Sequence, residues 1–168
     1  MGDNGIEENY NEVFYPSKKG SSEIIIGAQY LTDLAGCGLP QHAYPVKDRG
    51  WSIINPLGSL FEAYQFTDGS DFSYDSPLYD KDNLGKNRDP RLDYTIYYNG
   101  ATFKGTVYNS HPDGGSVDAT QSGQTTQTGF MMRKYFDESY NGDLRRYGVN
   151  IPIIRYPEVL LSYLEAKL

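Results

Sequence analysis

The chain has 168 residues, a net charge of −7 and only 38% hydrophobic residues, with 16 Tyr, 18 Gly and 9 Pro. This length suffices for one domain with a hydrophobic core. An acidic chain without a basic stripe is poorly suited to nucleic acid, because neutralisation of phosphates supplies most of that affinity. Cys37 is the only cysteine, which excludes an internal disulfide and a cysteine-based zinc site.

The first half of the chain predicts one short strand and one short helix. Ile24-Ile25-Ile26 is a β-branched run of a length that suits a short buried strand. Asn55-Pro56 is typical of a helix start, with Asn as the N-cap and Pro at the first position. Apolar residues then recur at helical spacing at Leu57, Leu60, Phe61 and Tyr64. We expect a short helix near residues 55–66, ended by Gly69.

The middle of the chain predicts a hairpin and a surface loop. Leu92, Tyr94, Ile96 and Tyr98 alternate with more polar residues, as in a half-buried strand. Asn99-Gly100 follows, a pair typical of two-residue hairpin turns. We therefore expect a β-hairpin near residues 92–104. Residues 109–128 are almost entirely polar, which predicts a surface loop, and Met131-Met132 belong to a further short strand.

The last segment predicts a strand followed by an amphipathic helix over residues 156–167. Pro157 suits the first turn of a helix, and Glu158 adds negative charge where the helix dipole favours it. Apolar side chains share one helical face at Tyr156, Val159, Leu160 and Tyr163. Because so short a helix is marginal alone, we expect it to be one side of a helical pair whose other side lies outside this chain.

Carboxylates are numerous but form no recognisable catalytic or metal motif. The best match to a calcium loop, from Asp80 onwards, has Leu84 at a ligand position and Arg91 where the bidentate Glu belongs, which excludes an EF-hand. An irregular calcium site and a carboxylate pair for glycoside hydrolysis both stay open. We predict no cofactor. A thiol nucleophile at Cys37 would need His42 or His111 as its base, and we favour a structural cysteine.

Two sets of residues qualify as functional or structural sites. Arg88-Asp89-Pro90-Arg91 places two guanidinium groups beside one carboxylate. We expect Arg88 or Arg91 to hold loop backbone and an acid such as Asp89 or Glu158, with ligand binding as the alternative. Aromatic side chains in or beside loops, if exposed, are suited to stacking on sugar rings. The candidates are Trp51, Tyr74 and Tyr79, and for each single ring simple packing over a loop is the alternative.

The chain resembles the SusD/RagB family of outer-membrane, surface glycan-binding lipoproteins. The resemblance lies in four blocks, in family order: Glu23-Ile24-Ile25-Ile26, Trp51 to Asp68-Gly69, Asn87-Arg88-Asp89-Pro90-Arg91-Leu92, and Thr128 to Tyr135 together with Ile153 to Lys167. Pro157 and Leu164 stand where the family usually or often has Ala. Family members are much longer, so the resemblance implies that this chain is an internal or C-terminal fragment.

The resemblance implies a fold class that is mainly α with irregular loops, a piece of a tetratricopeptide-like SusD fold with isolated short strands. Residues 1–168 would form one partial SusD-like domain. Such proteins are not enzymes. They capture oligosaccharides or polysaccharides at the cell surface and pass them to a SusC-like TonB-dependent transporter, while a lipid anchor outside this chain holds them to the outer membrane. A peptide-capturing or transporter-docking role is the alternative within the family. In that family Arg88, Asp89, Pro90, Arg91, Arg155 and Glu158 resemble fold-holding positions.

Overall fold

The computed structural model describes residues 4–120, 123 and 125–168. These residues form two compact units, one inserted in the sequence of the other. The first unit comprises the described residues up to Gly38 together with Tyr135–Leu168, and the second is the intervening segment Leu39–Lys134. Within the described ranges, no helix has the length and apolar character needed to cross a bilayer.

The first unit is built on a two-stranded antiparallel sheet that joins distant parts of the chain. Strand β1 covers Ile24–Gln29 and pairs with a strand over Asn150–Arg155, with Ile24 opposite Arg155 and Gln29 opposite Asn150. Two 3₁₀ turns precede β1, at Glu12–Phe14 and Pro16–Lys18. The prediction that the Ile24-Ile25-Ile26 run is buried is wrong, because five of the six residues of β1 are exposed.

The second unit contains three five-residue helices and short strand pairs. Its helices are α1, α2 and α3, over Leu39–Ala43, Gly58–Glu62 and Arg91–Thr95. Its strands are β2 to β5, over Ile96–Tyr97, Thr102–Phe103, Thr106–Val107 and Met131–Met132. Strand β2 pairs with β5 and β3 with β4. The short strands are therefore paired in two-stranded sheets, and not isolated as expected.

The core of the second unit consists largely of aromatic side chains. Tyr97 and Phe103 meet edge to face with ring centroids 4.7 Å apart, and Tyr44 approaches Phe103 at 5.2 Å. Phe61 stacks on Phe130 at 5.1 Å. Edge-to-face and offset pairs of this kind are favoured because aromatic rings carry a quadrupole. Much of the tyrosine content therefore serves packing.

The hairpin predicted near residues 92–104 is wrong in its position. Residues 91–95 form helix α3, because Asp89 accepts the backbone N–H of Arg91 on its side chain and that of Leu92 on its carbonyl oxygen, which starts a helical turn. The hairpin is the β3–β4 pair, with Lys104 and Gly105 at its turn. Both turn residues have positive φ, of 46° and 75°, as a two-residue hairpin requires.

Two further helix predictions are met in part. Helix α2 is shorter than residues 55–66 and begins at Gly58, with Leu57 at its N-cap and no side-chain cap. Asn55 accepts the backbone N–H of Gln127 instead (3.2 Å). The terminal helix is present, as α4 over Tyr156–Glu165, immediately after strand β6 (Asn150–Arg155). Its apolar residues Val159, Leu161, Tyr163 and Leu164 are exposed.

The polar segment predicted as a surface loop is partly buried. Asp118 and Thr126 are each 1% exposed. Thr126 Oγ1 donates to the carbonyl of Phe130 at 2.7 Å, and Thr125 Oγ1 donates to that of Ala119 at 2.8 Å. Polar side chains are buried here because their hydroxyl groups replace water with backbone partners. Residues 121, 122 and 124 of the segment lie outside the described residues.

Candidate functional site

A groove of about 360 Å³ opens beside Trp51 in the second unit. The indole is 50% exposed, an unusual position for the largest apolar side chain. The volume falls at the lower end of the range of small-molecule sites, about 300–1,000 Å³. The residues that line the groove are Val46, Gly50, Trp51, Ile53, Gly123, Thr125 and Gln127. An exposed aromatic face beside neutral polar groups is suited to a ligand that combines apolar and hydroxyl surface.

The loop that carries Trp51 is held by a dense set of backbone hydrogen bonds. The backbone N–H of Trp51 donates to the carbonyl of Gln41 (2.7 Å). The side-chain amide of Gln41 in turn donates to the carbonyl of Arg49 (2.7 Å). The Gly50 N–H reaches the carbonyl of Pro45 at 2.9 Å. A Cβ at Gly50 would lie 2.1 Å from the carbonyl oxygen of Tyr44. Only glycine allows this close approach, so the local sequence fixes the position of the indole.

The Trp51 ring is further oriented by its neighbours. The His42 ring meets it edge to face, with centroids 5.0 Å apart and planes at 89°. Ser52 follows with a φ of 49° and a buried side chain whose hydroxyl lies 3.8 Å from the Met131 sulfur. A buried non-glycine residue in the left-handed region is costly and persists only where its surroundings impose it. The indole is therefore presented by a preorganised loop.

A buried carboxylate supports the loop that lines the groove. Asp118 Oδ1 accepts the backbone N–H groups of Val46 and Lys47, at 2.7 and 3.4 Å. Its Oδ2 is buried without a hydrogen-bond partner among the described residues. Burial raises the pKa of the Asp118 carboxyl, although the two N–H donors oppose that effect. Asp118 thus fixes the 3₁₀ turn Val46–Asp48, whose first residue lines the groove.

Tyr74 and Tyr79 lie in a ring cluster and not among the residues that line the Trp51 groove. Their centroids are 5.3 Å apart, and Phe72 approaches them at 4.8 and 5.8 Å. Tyr74 is 57% exposed, and its hydroxyl donates to Glu62 Oε1 at 3.0 Å. Burial raises the pKa of that hydroxyl. Of the three candidate aromatic residues, only Trp51 therefore lines the groove.

Arg88 binds backbone carbonyls at the end of helix α2. Its Nη2 donates to the carbonyls of Phe61 (2.7 Å) and Tyr64 (2.9 Å). The guanidinium carbon lies 4.0 Å from the centroid of Phe72 and 4.5 Å from that of Phe61. Burial lowers the pKa of the group, and the cation–π contacts offset part of the lost hydration. This arrangement has the geometry of a helix C-terminal cap.

The other motif residues form two separate ion pairs. Arg91 Nε lies 3.0 Å from both Asp89 carboxylate oxygens, and this pairing lowers the pKa of Asp89. Pro90 is the N-cap residue of helix α3. Arg155 donates to Glu23 Oε1 at 2.6 Å, in the first unit. Glu158, the acid suggested for such a role, is exposed.

The acidic segment from Asp68 to Asp82 is explained by local contacts. Asp68 accepts the backbone N–H of Ser70 (3.0 Å), and Asp71 accepts from Gln65 (3.0 Å). Asp80 pairs with Lys86 at 2.9 Å. Across the part of the chain that the structure describes, no three His, Cys, Asp or Glu residues are grouped as metal ligands.

Most of the groove could not be predicted from the sequence. No sequence motif includes the lining residues Val46, Ile53, Thr125 and Gln127. They line one groove because the 46–53 loop and the 125–127 segment both contribute to it. The one signal that the sequence offered was a glycine, Gly50, directly before the only tryptophan.

Comparison with known proteins relates the whole chain to one family. The sequence matches the SusD family over residues 3–168. A solved SusD-like carbohydrate binding protein from Bacteroides fragilis is 54% identical, with a TM-score of 0.89 over 98% of this chain and 33% of that chain. A second SusD-like protein from Bacteroides fragilis is 23% identical, with a TM-score of 0.69 over 96% of this chain and 35% of that one. The chain thus spans about a third of each. No curated protein matches it.

Proposed function

The chain belongs to the SusD family, and on that premise we propose that it is part of a cell-surface protein that binds oligosaccharides or polysaccharides for nutrient uptake. The observation that carries this proposal is Trp51, a half-exposed indole held by a rigid loop beside a neutral groove. A sugar ring placed on the indole buries its C–H face, while the exposed Gln127 offers its amide to the sugar hydroxyls. The 54% identical relative is described as a carbohydrate binding protein, which supports the same assignment.

The proposal extends to the whole protein of which this chain is a part. That protein is non-catalytic, lies on the outer-membrane surface through a lipid anchor and passes its glycan to a SusC-like TonB-dependent transporter. The present residues form a piece of one SusD-like domain, and the tetratricopeptide-like helices lie elsewhere in it. A glycoside hydrolase is not supported, since the described lining of the groove includes no carboxylate.

Fluorescence of Trp51 gives a direct test, because it is the only tryptophan. Titration with neutral oligosaccharides should shift or quench its emission with saturation. Trp51→Ala, followed by calorimetry, should weaken binding at least about tenfold, which corresponds to a loss of about 1.4 kcal/mol. Tyr79→Phe is the matched control, because it alters an aromatic residue outside the groove. Saturable glycan binding that Trp51→Ala leaves unchanged would place the site elsewhere.

A second candidate is capture of peptides or docking to the transporter. It is favoured by a run of exposed apolar side chains after Trp51, which includes Ile53, Leu57 and Leu60. Exposed apolar surface of this kind is typical of protein contacts. Leu57→Ser would then weaken binding of peptides or of transporter and leave glycan titrations unchanged. If the peptide panel saturates Trp51 fluorescence and no glycan does, this second function replaces the first.

A further inference from the structure

The chemical class of the glycan follows from the charges around the Trp51 groove, and this step rests on the proposed function. The groove is lined, among the described residues, by three apolar side chains, two glycines, one hydroxyl and one amide. Hydroxyl and amide groups both donate and accept hydrogen bonds, as neutral sugars do. No guanidinium or ammonium group is part of this lining, although such groups are the usual partners of carboxylates and sulfates.

The charged side chains of the Trp51 loop, together with Asp118, do not form an anion site. Lys47 Nζ lies 3.6 Å from Asp48 Oδ2 and also contacts Thr106 Oγ1. Asp118 accepts the backbone N–H of Val46 on Oδ1, and its buried Oδ2 has no hydrogen-bond partner among the described residues. With the exposed Arg49, the loop and the buried Asp118 together hold two bases and two acids, so this set of residues has no positive excess. When ionised, a buried carboxylate disfavours a second negative charge nearby, and water screens this repulsion only weakly.

The net charge of this chain acts in the same direction. At −7, the chain repels polyanions at long range and slows their encounter. An anionic sugar that entered the groove would also lose hydration without gaining a cationic partner, which is unfavourable. We infer that the Trp51 groove selects neutral oligosaccharides and discriminates against uronic-acid and sulfated glycans.

Matched ligand pairs test this inference. Each neutral oligosaccharide that binds is compared with its derivative in which the C6 hydroxymethyl groups are oxidised to carboxylates, which keeps the backbone and adds charge. We expect the oxidised derivative to bind at least about tenfold more weakly in 20 mM salt, and the neutral parent to bind equally well in 20 and 500 mM salt. Equal or tighter binding of the oxidised derivative overturns the inference and leaves the proposed function standing. Absence of binding by every neutral and oxidised glycan overturns both.

A charge variant tests whether the ligand meets this lining. Gln127 is exposed at the groove, and Gln127→Lys adds one cation there, while Gln127→Met removes the amide without adding charge. At a separation of about 4 Å in water, one ion pair corresponds to roughly a fivefold gain in affinity. Gln127→Lys should therefore improve binding of the oxidised derivative about fivefold relative to Gln127→Met in 20 mM salt, and 500 mM salt should remove the gain. Equal affinities of the two variants for that derivative would contradict the inference.

Discussion

At the residue scale, the family motif acts through two arginines in opposite environments. Arg88 is 4% exposed and joins two carbonyls to a group of phenylalanine rings. Arg91 is 63% exposed and pairs with the acid between them, Asp89. When a buried guanidinium is removed, water cannot take its place as the hydrogen-bond donor to the backbone carbonyls. An exposed ion pair adds little to stability, because water solvates both of its groups equally well. The two positions should therefore differ strongly in their effect on stability.

Arg88→Met should destabilise the protein by about 3 kcal/mol, because it leaves two backbone carbonyls without their charged donor. Arg91→Met, a change of the same chemistry on the surface, should cost less than about 1 kcal/mol. Urea denaturation followed by circular dichroism measures both free energies of unfolding. Equal losses in the two variants would mean that Arg88 does not act as the cap of helix α2.

Asp118 should make stability depend on pH in an unusual direction. Burial raises its pKa in the folded state, so the native protein favours the protonated form more than the unfolded chain does. This contribution is fully present below the unfolded pKa of about 3.9 and is lost as the pH rises through the higher folded value. Asp118→Asn keeps an oxygen for the Val46 N–H and removes the buried charge. The variant should gain stability over the native protein as the pH rises from 4 to 7, measured by urea denaturation at each pH. A difference in stability that stays constant across this range would contradict the assignment.

Part of this residue chemistry was predictable from sequence. Arg88 donates to the carbonyls of Phe61 and Tyr64, a contact of the general kind expected for an arginine of the motif, because guanidinium groups suit paired carbonyl oxygens. That this contact holds the fold stays a prediction. The partner of Arg155 was not predictable. Glu23 lies 132 positions away, and no local pattern favours it over Glu158, three positions further along the chain. The burial of Asp118 was equally hidden, since a polar segment usually stays in water.

At the element scale, the position of the hairpin depends on which two consecutive residues both have positive φ. Asn99-Gly100 predicted a hairpin, but only Gly100 has positive φ (92°). The Ala101 N–H donates to the Tyr98 carbonyl at 2.9 Å, which closes a four-residue turn of the kind that needs positive φ at its third residue alone. Lys104-Gly105 satisfies the stricter requirement of the two-residue hairpin. Lysine is uncommon in such a turn, so the sequence favoured Asn99-Gly100 over Lys104-Gly105 as the hairpin turn. The alternation of apolar residues from Leu92 then predicted a strand where helix α3 lies.

Gly105→Ala should destabilise the protein by about 1–2 kcal/mol, because the left-handed conformation at φ 75° is unfavourable for a residue with a Cβ. Space is not the reason, since a Cβ there meets no atom within 4 Å. Gly20→Ala is the control, because Gly20 has equal space and no positive φ. It should be neutral or slightly stabilising. Thermal unfolding of both variants measures the effect, and equal melting temperatures would contradict this account of the hairpin.

At the scale of the whole molecule, the order of motifs was informative and the long-range pairing was not. Membership of the SusD family was predicted from four blocks in sequence order and is confirmed over residues 3–168. Strands β1 and β6 pair although the whole second unit lies between them in the sequence. No local sequence pattern indicates this pairing. Strand β1 is largely exposed and β6 mostly half-buried, and both are short. Neither strand shows the regular alternation of buried and exposed residues by which hydrophobic periodicity would select a partner. The division into two units was accordingly invisible in the sequence.

This division predicts that residues 39–134 fold without the remainder of the chain. The aromatic core of the second unit and the described hydrogen bonds of the Trp51 loop join residues within Leu39–Lys134. A polypeptide of these residues alone should therefore show cooperative unfolding, and its near-UV circular dichroism should retain the band of the immobilised indole. It should also titrate with neutral oligosaccharides as the whole protein does, within about threefold in affinity, a difference of less than 1 kcal/mol. Trp51→Ala in the same polypeptide removes both the dichroic band and the titration. A polypeptide without cooperative unfolding would show that the second unit depends on the first for its stability.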